Sequence, residues 1–389
     1  MADSSDELGT TTIIAPGAVA RLGEALKTID ATALVLVTGA GSYTRSGARA
    51  AIEPQLDGYA VELVNGFSPN PTVEEVAAGL DAVERASVHG APVIIGVGGG
   101  SAMDMAKLLA AAAAQEQPLG ELLPAGATLA PTNATLILIP TTAGTGSEAT
   151  HFATVYKGTQ KYSVAHPSLR PRWALVDPDL CASLPPAITA STGVDALCQG
   201  IESLWAVGST EASRAHASAA IARAMAHLEA AVLAPTPESR LGMCEAANWA
   251  GRAIDVSKTT ACHALSYGLT IRWDVPHGHA VATSLGEMLV FNSKTSEADV
   301  VDPRGIEHVR EVMATVVRLL GGRDPEDAKR RFNDLMCRLD LVLNLSALGA
   351  GEADDRRWLA SQVNVERLGN NPRRMGAPEL DALLSRIAH

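Results

Sequence analysis

Aromatic side chains make up only 4% of the 389 residues, cysteines number five, and no cluster of lysine and arginine interrupts the chain. Each scarcity excludes something. Cys181, Cys198, Cys244, Cys262 and Cys337 are scattered and odd in number, which argues against a disulfide scaffold and predicts reduced thiols in a cytoplasmic protein. A net charge of −12 without basic runs argues against a nucleic-acid surface. No apolar run is long enough to cross a bilayer, and the alanine tract after Leu108 is too short to count. The opening MADSSDELG is acidic and polar and reads as no secretory or mitochondrial presequence. What the chain does have is 47% hydrophobic residues, enough for a soluble globular protein, spread over a length that predicts two domains.

The first half alternates strand and helix. TTIIAPGAVARLGEAL reads as a strand, a turn at Pro16-Gly17 and a helix, and ALVLVT (33–38) as a strand buried on both faces. GAGSYTRSG follows. Gly39 and Gly41 permit a tight turn, Ser42 or Thr44 can cap the next helix, and a structural turn accounts for the glycines as well as a phosphate site does. Glu62, about 20 residues on, stands where a ribose-binding acid would be expected. FSPNPT (67–72) is a proline-locked loop. A second buried strand, Val93–Val97, runs into Gly98-Gly99-Gly100-Ser101 and a helix carrying Asp104 and Lys107. Three successive glycines leave no Cβ atoms to block a pyrophosphate, and the helix start offers amides and the positive dipole end. The strand ATLILIP then enters TTAGTGSEATHF, whose hydroxyls and glycines suit a loop around a polar ligand at the carboxyl end of a sheet. This is an α/β domain to about residue 185, with the boundary at Pro185-Pro186.

From Ser191 the pattern is helix after helix. Asp195 and Gln199, four apart, share a helix face; His263 and His277 stand fourteen apart, the second in a Pro-His-Gly-His turn expected to hold it in a loop. One carboxylate, one amide oxygen and two imidazoles make a first shell for a divalent first-row metal. Cys198 and Cys262, beside these residues, read as small packing residues.

With GGGSAMDMAK, TTAGTGSE and the Asp195-to-His277 constellation in that order, the chain resembles the iron-dependent (group III) alcohol dehydrogenases over nearly its full length, including PNPT and Asn370–Arg373. The resemblance implies the dehydroquinate synthase-like fold: an α/β dinucleotide-binding domain (1–185), an all-α metal-binding domain (186–389) and an active site in the cleft between them. It implies Gly99, Gly100, Ser101 and Asp104 as cofactor contacts on the pyrophosphate side, Thr141, Thr142, Thr145 and Lys161 on the nicotinamide-ribose side, Asn70 as a further cofactor contact, and His151 and Phe152 as substrate contacts. Asp195, His263 and His277 match three metal ligands. The metal expected is Fe2+, with Zn2+ compatible with the same donors.

This chain departs from the family pattern at three places. Gln199 stands where the family has histidine, a weaker donor that leaves metal identity open. Tyr267 replaces a histidine near the metal, so the proton donor is either Tyr267 or His279. NAD-preferring members carry an aspartate at the first turn, where this chain has Gly39 followed by Ser42 and Arg45; loss of the charge and gain of a guanidinium predict that NADPH is preferred and NADH admitted. That also undercuts Glu62 as a ribose ligand. Arg252, Lys258, Thr259 and Thr260, just before His263, form a cationic and hydroxylated wall suited to an anionic substrate. SKTTACHALSY, DALCQGIESLWAVGSTEASR and PHGHAVA look most like the branch that reduces phosphonoacetaldehyde to 2-hydroxyethylphosphonate in natural-product pathways. The alternatives are a general medium-chain alcohol, lactaldehyde or butanol dehydrogenase, and a non-catalytic cofactor-binding regulator. A dehydroquinate-synthase-type lyase would want a pocket denser in Lys and Arg. The exposed edge of the first strand predicts a homodimer.

Overall fold

The structure, a computed structural model, describes residues 4–5, 9–88, 90–123, 126–158, 160–363 and 365–389. The chain divides into two compact units, Met1–Leu184 and Pro185–His389.

The N-terminal unit is built on a seven-stranded sheet in the order β1-β2-β9-β6-β5-β3-β4. The strands are β1 (Ser4–Ser5), β2 (Thr11–Ile14), β3 (Ala33–Thr38), β4 (Ala60–Val64), β5 (Val93–Gly98), β6 (Thr135–Pro140) and β9 (Trp173–Val176). All neighbours pair in parallel except β1 with β2. The two central strands were legible as apolar runs because both of their faces are covered. Val35 and Val37 of β3 pack with helices α4 (Val73–Ser87) and α5 (Gly100–Ala113), while Leu34 and Leu36 pack with α1 (Leu22–Thr28) and α3 (Ala48–Ile52). Alternation along a strand sends successive side chains to opposite layers. The short helices α2 (Ser42–Arg45) and α6 (Leu119–Leu122) complete the unit.

Two expectations fail here. The TTAGTGSEATHF loop is followed not by a helix but by an antiparallel hairpin, β7 (Phe152–Lys157) with β8 (Gln160–Ala165). The strand at 11–14 is also not an edge, because Ser4–Ser5 pairs along its outer side. The edge argument for a homodimer therefore falls.

From β3 the chain steps outward to β4 and then returns to the other side of β3 as β5. The carboxyl ends of β3 and β5 thus flank a point where strand order reverses, the place where open α/β sheets hold their ligands.

The C-terminal unit is helical: α7 (Pro186–Trp205), α8 (Glu211–Leu233), α9 (Pro237–Ser257), α10 (Ala261–Trp273), α11 (His277–Ser293), α12 (Ile306–Leu319), α13 (Pro325–Arg338), α14 (Ala353–Ser361), α15 (Val365–Gly369) and α16 (Ala377–Arg386). Pro185 is the N-cap of α7 and Pro186 its first residue, where a missing N–H costs nothing. Among the described residues no helix is long and apolar enough to cross a membrane.

Candidate metal centre and cofactor loops

Helix α7 presents Asp195, Gln199 and Glu202 at i, i+4 and i+7, one stripe of the helix, and all three are buried at 2%, 4% and 0% exposure. A buried acidic stripe is costly unless partners meet it, and two neighbouring helices supply them. His263 lies in the first turn of α10, and His277 is the first residue of α11. The Pro-His-Gly-His segment is therefore a helix start rather than a loop, with Pro276 as the N-cap. Gly278 makes the approach possible: a Cβ there would stand 2.0 Å from the Ser191 carbonyl oxygen and 2.7 Å from Asp195 Cβ. Only a residue without a side chain lets the start of α11 lie against α7 and set His277 beside Asp195.

One ligand atom each from Asp195, His263 and His277 lies within 4.8 Å of the others. His263 Nε2 is 3.4 Å and His277 Nε2 4.0 Å from Asp195 Oδ1. Donors at about 2.1 Å from one ion sit roughly 3.0–3.4 Å apart, so the first spacing already suits a shared cation and the second is slightly open. Gln199 Nε2 donates to Asp195 Oδ2 at 3.0 Å, and Gln199 Oε1 is buried without a hydrogen-bond partner among the described residues. An orphaned amide oxygen beside a carboxylate and two imidazoles fits a divalent cation as the missing partner.

Glu202 organises this site, and the sequence reading passed over it. Its Oε2 meets His263 Nδ1, while Oε1 accepts from Thr260 N at 3.2 Å, Thr260 Oγ1 at 2.7 Å and Cys262 N at 2.9 Å. Burial alone pushes the His263 imidazole toward neutrality; the Glu202 carboxylate overrides this and raises its pKa to about 10. Burial likewise opposes ionisation of Glu202, yet His263 and the Thr260 bonds hold its carboxyl below the usual range. A carboxylate on Nδ1 turns Nε2 toward Asp195, the arrangement that orients metal-binding histidines. The available signal was spacing: Glu202 is seven residues after Asp195 on one helix face. Cys198 and Cys262 are fully buried, and burial drives both thiols well above their ordinary range, as packing residues require.

The proposed proton donors separate. Tyr267 stacks on His277 with ring centroids 6.2 Å apart. His279 turns away, its Nε2 2.6 Å from the Val342 carbonyl oxygen, so it does not join the cluster. The cationic wall is also redistributed. Arg252 bonds Asn248 Oδ1 at 3.0 Å and lies 5.2 Å from the Trp249 ring centre. The Thr260 hydroxyl is committed to Glu202 and accepts from Trp205 Nε1 at 2.9 Å, which leaves it no part facing a substrate. Lys258 is exposed and Thr259 buried, in the turn between α9 and α10.

In the N-terminal unit three loops converge at the ends of β3, β5 and β6. A Cβ on Gly98 would stand 3.5 Å from Ser42 Oγ and 3.6 Å from Gly39 N, and one on Gly100 would strike Thr145 at 2.8 Å. A Cβ on Gly99 would meet Thr142 at 3.4 Å, and the Arg45 guanidinium lies over Gly41. Ser42 opens α2 but gives no side-chain cap. The glycines therefore let these loops close against the start of α5, whose backbone amides suit a pyrophosphate. The Ser101 hydroxyl donates to the Pro69 carbonyl, which draws the 67–72 loop with Asn70 alongside. Thr141 Oγ1 is buried with no hydrogen-bond partner among the described residues. Lys161 sits on β8, opposite Tyr156 of β7. The rings of His151 and Phe152 meet edge to face at 5.7 Å where β7 begins. Glu62 pairs with Arg85 rather than waiting for a ribose.

Asp104 also has a structural role. It accepts from Ser147 Oγ at 2.8 Å and Thr154 N at 3.0 Å, and burial pushes its carboxyl up against the pull of Lys107. Lys107 is itself fully buried, donating to Ser147 O, Thr150 Oγ1 and Phe152 O at 2.6–3.0 Å. Asp104 is thus a strut tying α5 to the hairpin.

Comparison with known proteins agrees with this geometry. Residues 9–178 match the family described as iron-containing alcohol dehydrogenase, and residues 189–388 match the C-terminal part of the Fe-containing alcohol dehydrogenase family. The chain is 36% identical over 324 residues to a phosphonoacetaldehyde reductase of Streptomyces viridochromogenes, covering 81% of this chain and 80% of that one. It is 32% identical over 370 residues to an NADPH-dependent butanol dehydrogenase of Clostridium saccharobutylicum, covering 92% of each. The solved structure of a sulfoacetaldehyde reductase from Bifidobacterium kashiwanohense in complex with NAD+ matches with a TM-score of 0.86 at 28% identity, covering 98% of this chain and 97% of that one. The chain is an oxidoreductase and belongs to the iron-containing alcohol dehydrogenase family.

Proposed function

We propose that the chain reduces phosphonoacetaldehyde to 2-hydroxyethylphosphonate, with NADPH as hydride donor and divalent iron held by Asp195, Gln199, His263 and His277. The observation that carries the reading is the buried Asp195–His263–His277 cluster, with the His263 tautomer set by Glu202. When bound, the metal supplies a Lewis acid that polarises the aldehyde carbonyl.

The chain's own residues do the rest. Glu202 holds the Nδ1 proton of His263 and leaves its Nε2 lone pair to the cation. Tyr267, stacked on His277, holds the proton that the product alkoxide takes up at its phenolic oxygen. Gly99, Gly100 and Ser101 at the start of α5 receive the pyrophosphate on backbone amides, and Thr141, Thr142, Thr145 and Lys161 order the ribose next to it. The 39–45 loop carries no carboxylate; Ser42 and Arg45 suit a 2′-phosphate, which favours NADPH over NADH.

Lys258 and Thr259 read the phosphonate. Two of the similar proteins named above act, by their names, on two-carbon aldehydes bearing an anionic oxyacid, which supports a charged substrate. The butanol dehydrogenase similarity over 92% of the chain supports a second reading, an uncharged aldehyde. NADPH oxidation by iron-loaded protein with phosphonoacetaldehyde against propanal decides between them. The proposal expects a kcat/KM ratio of about a hundred or more, near 2.7 kcal/mol. Equal values leave a general aldehyde reductase.

A further inference from the structure

Four non-glycine residues among those described have positive φ: Asp30, Asp274, Asp340 and Lys258. The three aspartates are of a type that tolerates this half of the map. Lys258 is not, and its φ of 59° with ψ of 178° lies where glycine is the usual occupant.

The turn is held in this conformation from every side. Lys258 N donates to Ile254 O at 3.0 Å, and Ser257 Oγ donates to Lys258 O at 2.9 Å. Asn370 Nδ2 donates to Ser257 O at 2.8 Å and to Thr259 O at 3.0 Å, bracketing Lys258 before and after. Asn370 is fixed in turn: its Oδ1 accepts from Gly208 N at 2.9 Å and its carbonyl from Val207 N at 3.0 Å. Two residues downstream, Thr260 N ends on Glu202, the carboxylate that sets His263. The clamp therefore ties the Lys258 peptide rigidly to the metal-binding helix.

None of these bonds uses the Lys258 side chain. The turn needs three carbonyls and an N–H in place, which a glycine supplies without strain. We infer that Lys258 is the specificity-determining residue for the anionic end of the substrate, and that Asn370 is the positioning residue that holds its strained peptide so the ammonium is presented from the turn leading into His263. The inference rests on the proposed anionic aldehyde and the Lys258 reading, and deepens them by making Lys258 rather than Thr259 decisive and by naming the amide that holds its peptide.

The test compares Lys258→Gly, Lys258→Ala, Asn370→Ala and the Lys258→Ala/Asn370→Ala pair. The readouts are the ratio of kcat/KM for phosphonoacetaldehyde to that for propanal, bound iron, and the urea midpoint. Both Lys258 variants are expected to lower the ratio at least tenfold, and only Lys258→Gly to raise the urea midpoint, because glycine alone relieves the backbone. Asn370→Ala with full iron content is expected to lower the ratio threefold or more through KM, with kcat nearly unchanged. The pair is expected to be no worse than Lys258→Ala alone, a non-additivity that a merely structural Asn370 does not produce. If Asn370→Ala fails to fold, Asn370→Asp removes the two donated bonds while keeping the acceptor for Gly208, and the same threefold loss is expected. A wild-type preference of a hundredfold that survives both Lys258 variants overturns the inference and leaves the anionic substrate standing. No wild-type preference overturns both. A folded Asn370 variant with an unchanged ratio removes the positioning role.

Discussion

Replacing Glu202 by glutamine keeps the shape of the side chain and inverts what it offers His263. The amide oxygen of a glutamine can still accept from Thr260 N, Thr260 Oγ1 and Cys262 N, which lie 2.7–3.2 Å from Glu202 Oε1. Its NH2 then faces His263 Nδ1, where two donors cannot meet, so the ring proton moves to Nε2. There it points at Asp195 Oδ1, 3.4 Å away, and no lone pair is left for a metal. Loss of an orienting partner of this kind weakens metal binding about 10- to 100-fold, or roughly 1.4–2.7 kcal/mol. Glu202→Ala is a harsher change: it strands the buried donors on Thr260, Cys262 and His263 and breaks a buried charge pair, at a cost of about 3–5 kcal/mol in stability. The assay is anaerobic titration of metal-free protein with Fe2+ against a chromogenic chelator. A Glu202→Gln protein that binds iron as tightly as wild type would refute the tautomer argument.

Other outcomes follow from the same geometry. Gly39→Asp places its Cβ 2.5 Å from Ser42 Oγ, a hydroxyl that can rotate away, and sets a carboxylate where the 2′-phosphate is proposed to lie. The NADPH to NADH preference should fall by about tenfold or more in steady-state kinetics, through charge repulsion. Lys107→Met strands the Ser147, Thr150 and Phe152 oxygens that the buried ammonium satisfies and should lower stability by about 1–3 kcal/mol or more, read as a shift in urea midpoint. In metal-free protein the His263 pKa is raised from 6.5 to about 10, so its pairing with Glu202 stabilises fully below pH 6.5 and the stabilisation is lost as pH rises through 10. The Tm gap between wild type and Glu202→Gln should therefore be widest between the ordinary glutamate value of 4.5 and pH 6.5, should narrow as acid protonates the Glu202 carboxylate, and should close above pH 10.

The α/β half was legible because β3 and β5 are covered on both faces and so appear as unbroken apolar runs ending in glycine turns. The β7–β8 hairpin was not, since its strands, as long as β3 and β5, mix polar residues with apolar ones and are buried at only four of their twelve positions. The metal site was legible residue by residue on α7, where Asp195 and Gln199 share a face. What could not be read was orientation across elements. His279 follows His277 by two positions, which on a helix is about 200° of rotation, so one joins the cluster and the other meets Val342. Thr260 and Asp104 carry chemistry that suits a ligand, but each also bonds a partner that only the folded chain brings near: buried Glu202 for the first, Ser147 and Thr154 for the second. Strain at Lys258 is a property of dihedral angles and leaves no trace in residue order.

The central claim is that three helices of the C-terminal unit assemble one iron site from Asp195, His263 and His277. Its most direct test is iron stoichiometry of protein reconstituted anaerobically with Fe2+, wild type against Asp195→Ala and His263→Ala, with folding checked by circular dichroism. The account predicts one tightly bound iron per wild-type chain and less than a tenth of that in either folded variant. Full iron content in a folded Asp195→Ala or His263→Ala protein would contradict it.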